Sequence, residues 1–600
     1  MQQKIINPQD LAFQLFEFCD VEQCLGFERY ADHSRETLQA ALDLALKVAA
    51  EEFAPHARLV DEEEPRFENG RVEMRPEVKE ALDVLKDTGL MAAGQDYLRG
   101  GMQLPAAVTQ MCVAVLRGAN VSTYAYAGLT IAAANLIMVQ GSQEQQARFA
   151  EPMIAGRFFG TMCLSEPHSG SSLGDLRTRA EPQADGTYRL FGNKIFISGG
   201  DHELSENIIH MVLARLPDAP PGVKGISLFL VPKILVNDDG SLGARNDVAL
   251  AGLIHKMGYR GTTSTMLNFG EKDGAVGYLV GEPNKGLAAM FHMMNEARVG
   301  VGLVSVMLGY TGYLHALEYA RERTQGRPVG EKDPATPQVP LIRHGDIRRM
   351  LLAQKAYVEG GLALCLQGAM LLDEKKFAAT DEQRNLAAGL LDLLTPVIKS
   401  WPSRYCLEAN SLAIQVHGGY GYTREYPVEQ FFRDNRLNMI HEGTHGIQGI
   451  DLLGRKVSMA GGEFYQELMN RIESTISDAR QEPRLADSAD RLERAVAAIT
   501  EVTHVINEEK TSGDKEKALA NATLYLDAFG HVVVGWIWLR QGIKALAGLA
   551  GKGEQTPAFY EGKIRACEYF ARYELPCVLS SAELLKAVDT TALEIHEDQF

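Results

Sequence analysis

Glu442 lies in a tight turn, Glu442-Gly443-Thr444, with apolar residues around it, and a carboxylate in such surroundings can act as a general base. It belongs to the stretch 415–455, QVHGGYGYTREYPVEQFFRDNRLNMIHEGTHGIQGIDLLGR, which also holds a glycine-rich turn, Gly418-Gly419-Tyr420-Gly421-Tyr422. Glycines let a backbone come close to a ligand, because no Cβ stands in the way. A base beside a ligand-binding turn does redox chemistry only if an electron acceptor is held elsewhere in the chain.

Three further groups of residues offer chemistry. Met162–Ser172 (MCLSEPHSGSS) presents the Ser165 hydroxyl and then a Gly/Ser-rich turn whose backbone N–H groups suit an anion such as a phosphate; a polar surface turn reads the same way. Lys194–Gly200 (KIFISGG) ends a strand with an aromatic and a hydroxyl, so Phe196 could stack on a flat ring that Ser198 bonds at its edge, although a strand phenylalanine is more often core. Arg298 sits among small residues of a helix, and Arg323 near a helix end, where dipole and solvent ordinarily satisfy it. His417 and His441 have no cysteine or carboxylate at ligand spacing, so no metal site is expected.

The elements that must position these residues follow from pattern. Six hundred residues exceed one core. Residues 1–160 read as a helical domain, with helices at Thr37–Phe53, Glu77–Leu85, Leu104–Leu116 and Leu129–Gln140, and with Asp61-Glu62-Glu63-Glu64 as a solvated acidic face. The period changes to two over 161–286, a β domain in which Asp185-Gly186 joins the strands Arg179–Gln183 and Tyr188–Ile197, and which continues through Ile208–Ala214, Ile226–Pro232 and Thr265–Phe269. Helices return over 287–460 as Ala288–Glu322, Gly345–Leu372 and Glu382–Asn410, with the proline-rich loop Gly326–Pro340 between the first two. Beyond the Gly461-Gly462 linker, an additional bundle over 461–600 is expected from Phe464–Arg480, Leu485–Asn507, Lys515–Leu549 and Pro557–Ala587, its Trp536 and Trp538 packing a core or a seam. The fold class is thus α+β, mainly α.

A net charge of −18 argues against nucleic acid and anionic membrane surfaces. Eight scattered cysteines without a CxxC pair suit reduced thiols, the amino terminus lacks the order of a signal peptide, and no apolar run reaches the roughly 20 residues of a membrane span. A cytoplasmic location is the expectation.

Six motifs in this order resemble the acyl-CoA dehydrogenases: SEPHSGSS, KIFISGG, HKMGYRGTTST at 255–265, ARERTQG at 320–326, QVHGGYGYTREYPVEQFFRD and IHEGTHGIQ. The resemblance covers about residues 37–460, and the carboxy-terminal bundle resembles a longer bacterial subgroup that includes enzymes acting on 3-methylthiopropionyl-CoA and phenylpropionyl-CoA. It implies a helical domain, a β-barrel-like middle domain and a four-helix bundle, with FAD as cofactor and acyl-CoA as substrate. By the same resemblance Leu164, Ser165, Phe196, Ser198 and Thr444 contact FAD. Arg323, Gln415, Gly418 and Gly419 reach the FAD of a second subunit, which implies a homo-oligomer, a dimer. Ser171, Arg298 and Gly443 face the substrate, and Glu442 is the catalytic base whose own N–H helps hold the developing enolate. Electrons pass to an electron-transfer flavoprotein; an oxidase using O2 and a silent scaffold of the same fold are the alternatives. The chain departs from the family pattern at Phe196, where tryptophan is common, at His441, where tyrosine is common, and at Gln325-Gly326, which replaces Gln-Phe-Gly.

Overall fold

The period-two runs fold into one sheet in the computed structural model, which describes residues 4–600, the side chains of 292–296 and 512 excepted. The first three residues of the amino-terminal stretch read for a signal peptide lie outside the described residues. The strands are β1 (Phe158–Cys163), β2 (Arg179–Pro182), β3 (Tyr188–Ser198), β4 (Asn207–Arg215), β5 (Ile226–Pro232), β6 (Val248–Leu253), β7 (Ser264–Phe269) and β8 (Ala275–Val280), in the order β6-β7-β3-β8-β5-β4-β1, with β2 pairing β3 and β4. β4 and β5 are buried along nearly their whole length, which explains their unbroken apolar sequences, IIHMVLA and ISLFLVP. β2 and β3 form the hairpin expected at Asp185-Gly186, where Gly186 takes φ +84°. In the β7–β3 ladder Thr265 pairs Ile197 but Leu267 pairs Lys194, so Ile195 and Phe196 together face one residue. That bulge puts Phe196 at φ +59°.

This sheet belongs to a compact unit of Glu36–Leu104 and Val115–Ala297. Its helix α1, Val121–Gln140, begins eight residues before the expected Leu129, because the Asn120 side chain caps it by accepting from Thr123 N at 3.1 Å. The acidic run is a solvated face only at Glu62 and Glu63: Asp61 is buried, and Glu64 pairs with Arg260 at 2.7 Å and His255 at 3.0 Å.

A second unit comprises the residues up to Arg35, Pro105–Ala114 and Arg298–Phe600. Its long helices are α2 (Gly286–Glu322, from Arg298 onward), α3 (Gly345–Phe377) and α4 (Asp381–His417). A capping box between Thr380 and Gln383 starts α4, which runs past the expected Asn410 to end against Gly418 at φ +61°. α2 and α4 touch backbone to backbone: a Cβ on Gly302 would lie 2.0 Å from the Ile398 carbonyl oxygen. The loop Gly326–Pro340 is closed at its base by Gln325 N to Val339 O and Val339 N to Gly326 O, both 3.0 Å.

The carboxy-terminal helices form, but two expected ones are broken. Lys515–Leu549 divides at Asn521 into Lys515–Leu519 and α6, Ala522–Ala547, after α5 at His445–Gly454. Pro557–Ala587 divides before Pro576, whose missing N–H leaves a wound segment at Phe570–Glu574. Trp538 fills a notch at Gly360 of α3 and donates to Ala356 O at 3.0 Å, so it packs a core as expected. The view that no segment suits a membrane span is corrected: Val121–Gln140, Ala297–Glu322 and Ala522–Lys552 are long and apolar enough, although interspersed Gly, Ser, Thr and Tyr break up their apolar runs. Their apolar windows are 61%, 89% and 89% buried within the protein, which is what the apolarity serves here.

One ionic knot ties the amino-terminal segment to this unit. Lys563 meets Asp10 at 2.5 Å and Glu359 at 2.8 Å, all three fully buried or nearly so, while Lys355 also pairs with Glu359 and Tyr310 donates to Asp10 at 2.8 Å. Removing one partner of a buried pair strands the other charge. Lys563→Met is therefore expected to cost about 3–5 kcal/mol, read as a clearly lowered thermal midpoint; an unchanged midpoint would contradict the knot's role.

Candidate active site

α2 and α4 approach closely because Gly302 has no side chain, and each then presents a cation beside the same turn. Arg298 lies one turn before Gly302, and Lys399 follows Ile398. Both are buried, Arg298 at 7% and Lys399 at 0% exposure. The turn is Glu442-Gly443, with φ +55° and +84°. Lys399 Nζ donates to Gly443 O at 2.7 Å, and Gln448 Nε2 donates to Glu442 O at 3.1 Å. A Cβ on Gly443 would lie 2.5 Å from Gln448 Nε2 and 3.7 Å from Arg298 Nη2. Thr444 then caps α5, its hydroxyl accepting from Ile447 N at 3.3 Å.

The approach to the turn is fixed by a ladder of buried amides. Asn410 donates to Leu308 O at 2.9 Å and accepts from Asn435 at 2.7 Å; Asn435 also reaches Ser305 O at 3.0 Å and accepts from Asn438 at 2.9 Å. The Asn438 oxygen meets His441 Nε2 at 3.1 Å, so this histidine donates. Behind the turn, His445 Nε2 meets Asp527 of α6 at 3.1 Å, Arg404 pairs with the same carboxylate, and a Cβ on Gly449 would lie 2.7 Å from Ala522 O.

Electrostatics set Glu442 apart. Burial raises its pKa, and Arg298 and Lys399 pull it back down without cancelling the rise. Glu442 is half-buried, so it combines a partly desolvated carboxyl with a path to what lies outside. Burial lowers the Lys399 ammonium to about 8, and it lowers His441 to about 3 and His445 to about 4, so both histidines are neutral at neutral pH.

In the sheet unit, the 164–166 and 194–198 segments are joined. Lys194 Nζ donates to Leu164 O at 3.0 Å and to Glu166 at 2.9 Å, and Ile195 N donates to Ser165 O at 3.0 Å. Glu166 also accepts from Arg177 N, Thr178 N and the Thr178 hydroxyl at 2.6–3.0 Å. This buried anchor holds Leu164 and Ser165 half-exposed beside Phe196, which is 64% exposed and so is not core. Ser198 is exposed on the same strand, and Ser171 is exposed two residues beyond the turn that the Glu166–Ser169 bridge closes. An exposed aromatic on a bulge with neighbouring hydroxyls fits a flat polar ring system.

The glycine turn stands at the end of α4. His417 stacks on Tyr319 at 4.3 Å, one helical turn from Arg323, and Arg323, Gln415, Gly418 and Gly419 are all exposed. Added Cβ atoms at Gly418 and Gly419 would meet nothing within 4 Å, and Gly418 at φ +61° calls for glycine through its own backbone. Glu442, Gly443, Thr444 and Arg298 thus come together around one turn. Lys399, Gln448, the asparagine ladder and Asp527 join them unforeseen; the one visible signal was a lone lysine in the apolar run LLTPVIKSW.

The chain belongs to the acyl-CoA dehydrogenase family. Residues 35–157, 161–271 and 284–457 match its N-terminal, middle and C-terminal domains, and residues 468–596 match an acetyl-CoA dehydrogenase C-terminal-like domain. It is 38% identical over 97% of its length to a 3-methylmercaptopropionyl-CoA dehydrogenase of Ruegeria pomeroyi, 97% of which is covered. A broad-specificity linear acyl-CoA dehydrogenase of Mycobacterium tuberculosis is 34% identical, with 99% of each chain covered. The fold is shared with Caenorhabditis elegans ACDH-11, solved with C11-CoA, at a TM-score of 0.78 and 18% identity over 100% of this chain and 97% of that one.

The turn itself is testable. Gly443→Ala places a side chain in the left-handed region and against Gln448, so a loss of about 1–3 kcal/mol is expected, measured as a lowered unfolding midpoint; an unshifted midpoint would show that the turn is more yielding than its contacts indicate.

Proposed function

We propose that this protein catalyses the α,β-dehydrogenation of an acyl-CoA thioester to the trans-2-enoyl-CoA, with Glu442 as the base. Family membership makes it an oxidoreductase acting on acyl-CoA, with FAD as cofactor. The observation that carries the reading is the Glu442 turn: a half-buried carboxylate with a raised pKa, backed by two buried cations and locked through both neighbouring carbonyls.

The α-proton of a thioester is only weakly acidic, so its removal needs both a base of raised pKa and donors for the developing enolate oxygen. Glu442 takes the proton on its carboxylate, and its own N–H, in a turn that cannot rotate freely, serves as a donor to that oxygen. Arg298 and Gly443 flank the acyl end, and Ser171 faces the CoA moiety. Leu164, Ser165, Phe196, Ser198 and Thr444 hold FAD, which when bound supplies the acceptor for the β-hydride. Arg323, Gln415, Gly418 and Gly419 reach the FAD of a second copy in a dimer, a reading supported by the open space around both glycines. The electrons then leave to an electron-transfer flavoprotein.

Glu442→Gln keeps the shape of the turn and removes the base. The variant is expected to retain FAD and to lose flavin bleaching by acyl-CoA by a factor of about 10²–10⁴, followed at the flavin absorbance with straight-chain, methylthio and phenyl acyl-CoAs. Bleaching at the wild-type rate would contradict the assignment, and stoichiometric hydrogen peroxide without an added acceptor would mark an oxidase.

A further inference from the structure

Lys399 is fully buried, and its ammonium is spent on a backbone carbonyl, that of Gly443 at 2.7 Å. A lysine is rarely placed so, because burying an ammonium is costly unless a charge compensates it. The carbonyl alone does not call for a cation: Gln448 satisfies the adjacent Glu442 carbonyl with a neutral amide at 3.1 Å. The charge needs a reason of its own, and the carboxylate of the same turn supplies one. We propose that Lys399 is a positioning residue whose ammonium fixes the Glu442–Gly443 turn and keeps the Glu442 carboxylate ionised in the substrate-free enzyme. The inference rests on the proposed function, in which that carboxylate is the base.

The groups around the turn leave this task to two cations. Arg298 from α2 and, after it, Lys399 from α4 are the charges that lower the pKa of Glu442 against its burial. His441 and His445, at the flanks of the turn, are held neutral by burial. On α6, Asp527 is engaged by His445 and Arg404. Asp451 of α5, Glu442 itself, Arg455 and Asp392 of α4 act on Arg298, in that order. Arg298 is thereby shared among several partners, whereas Lys399 answers chiefly to Glu442, with Arg298 opposing.

The sign follows directly. Removing the positive charge removes one influence that lowers the pKa of Glu442, so the carboxylate protonates at higher pH and the base is lost earlier as pH falls. The Lys399 ammonium, although burial lowers it to about 8, is charged at neutral pH.

The test compares pH profiles of kcat/KM for the FAD-loaded full chain, using an acyl-CoA and an artificial electron acceptor, in wild type, K399Q, K399M and K399R. K399Q keeps a donor for the carbonyl without the charge, and K399R keeps the charge. The acid limb is expected to move up by about one pH unit in both neutral variants and to stay in place in K399R. An unmoved limb in the neutral variants, or a K399R limb displaced as far as theirs, would overturn the role. Should a neutral variant fail to fold, judged by its FAD content, the K399R profile still decides, since a retained charge must retain the wild-type limb. A wild-type enzyme whose flavin no acyl-CoA bleaches would contradict the proposed function, and this inference with it; normal bleaching with a fixed acid limb contradicts Lys399 alone.

Discussion

A carboxylate that is to take a proton from carbon, the role proposed for Glu442, faces two opposed demands, and the turn answers to both. Desolvation makes it a stronger base, while the same desolvation favours its neutral, useless form. The resolution lies in placing positive charge nearby: Arg298 and Lys399 lower the pKa of Glu442 without cancelling the effect of burial. That balance depends on helix spacing. Gly302 lets α2 lie on the Ile398 carbonyl of α4, and without that approach the two cations would stand farther from the turn.

The carboxy-terminal helices take part in the same constraint. α5 begins at the residue after Thr444 and is gripped by α6, through His445 and Asp527 and through the contact of Gly449 with the Ala522 carbonyl. Trp538 locks α6 onto α3, and Lys563 joins Glu359 of α3 to Asp10 of the amino-terminal segment. The additional bundle is therefore no appendage hung from a linker. It supplies the far wall of the Glu442 turn.

Much of this was legible in the chain itself. The alternation of IIHMVLA and ISLFLVP with turn residues gave away the sheet, and the Asp185-Gly186 hairpin fell where expected, because such turns are local. Glu442, Gly443, Thr444 and Arg298 were singled out by motif and by resemblance, and they come together around one turn. What escaped was whatever depends on neighbours distant in sequence. Phe196 looked like core until the bulge turned it outward; Asp61 looked solvated until packing covered it. Lys399 was an unremarked lysine, because the carbonyl it serves lies 44 residues away. Apolar averages over α1, α2 and α6 could not be told from membrane spans by runs of residues alone, and only their packing assigns them to the core.

The central claim is that Glu442 exchanges a proton with the α-carbon of a bound thioester, and this step can be observed apart from oxidation. A 3-thia-acyl-CoA has no β-hydrogen to lose, so proton transfer is all that the enzyme can do with it. Incubated with the FAD-loaded protein in D2O and followed by proton NMR, its α-hydrogens should be replaced by deuterium with the wild type and retained with Glu442→Gln. Equal exchange with both proteins, or none with the wild type, would contradict the account.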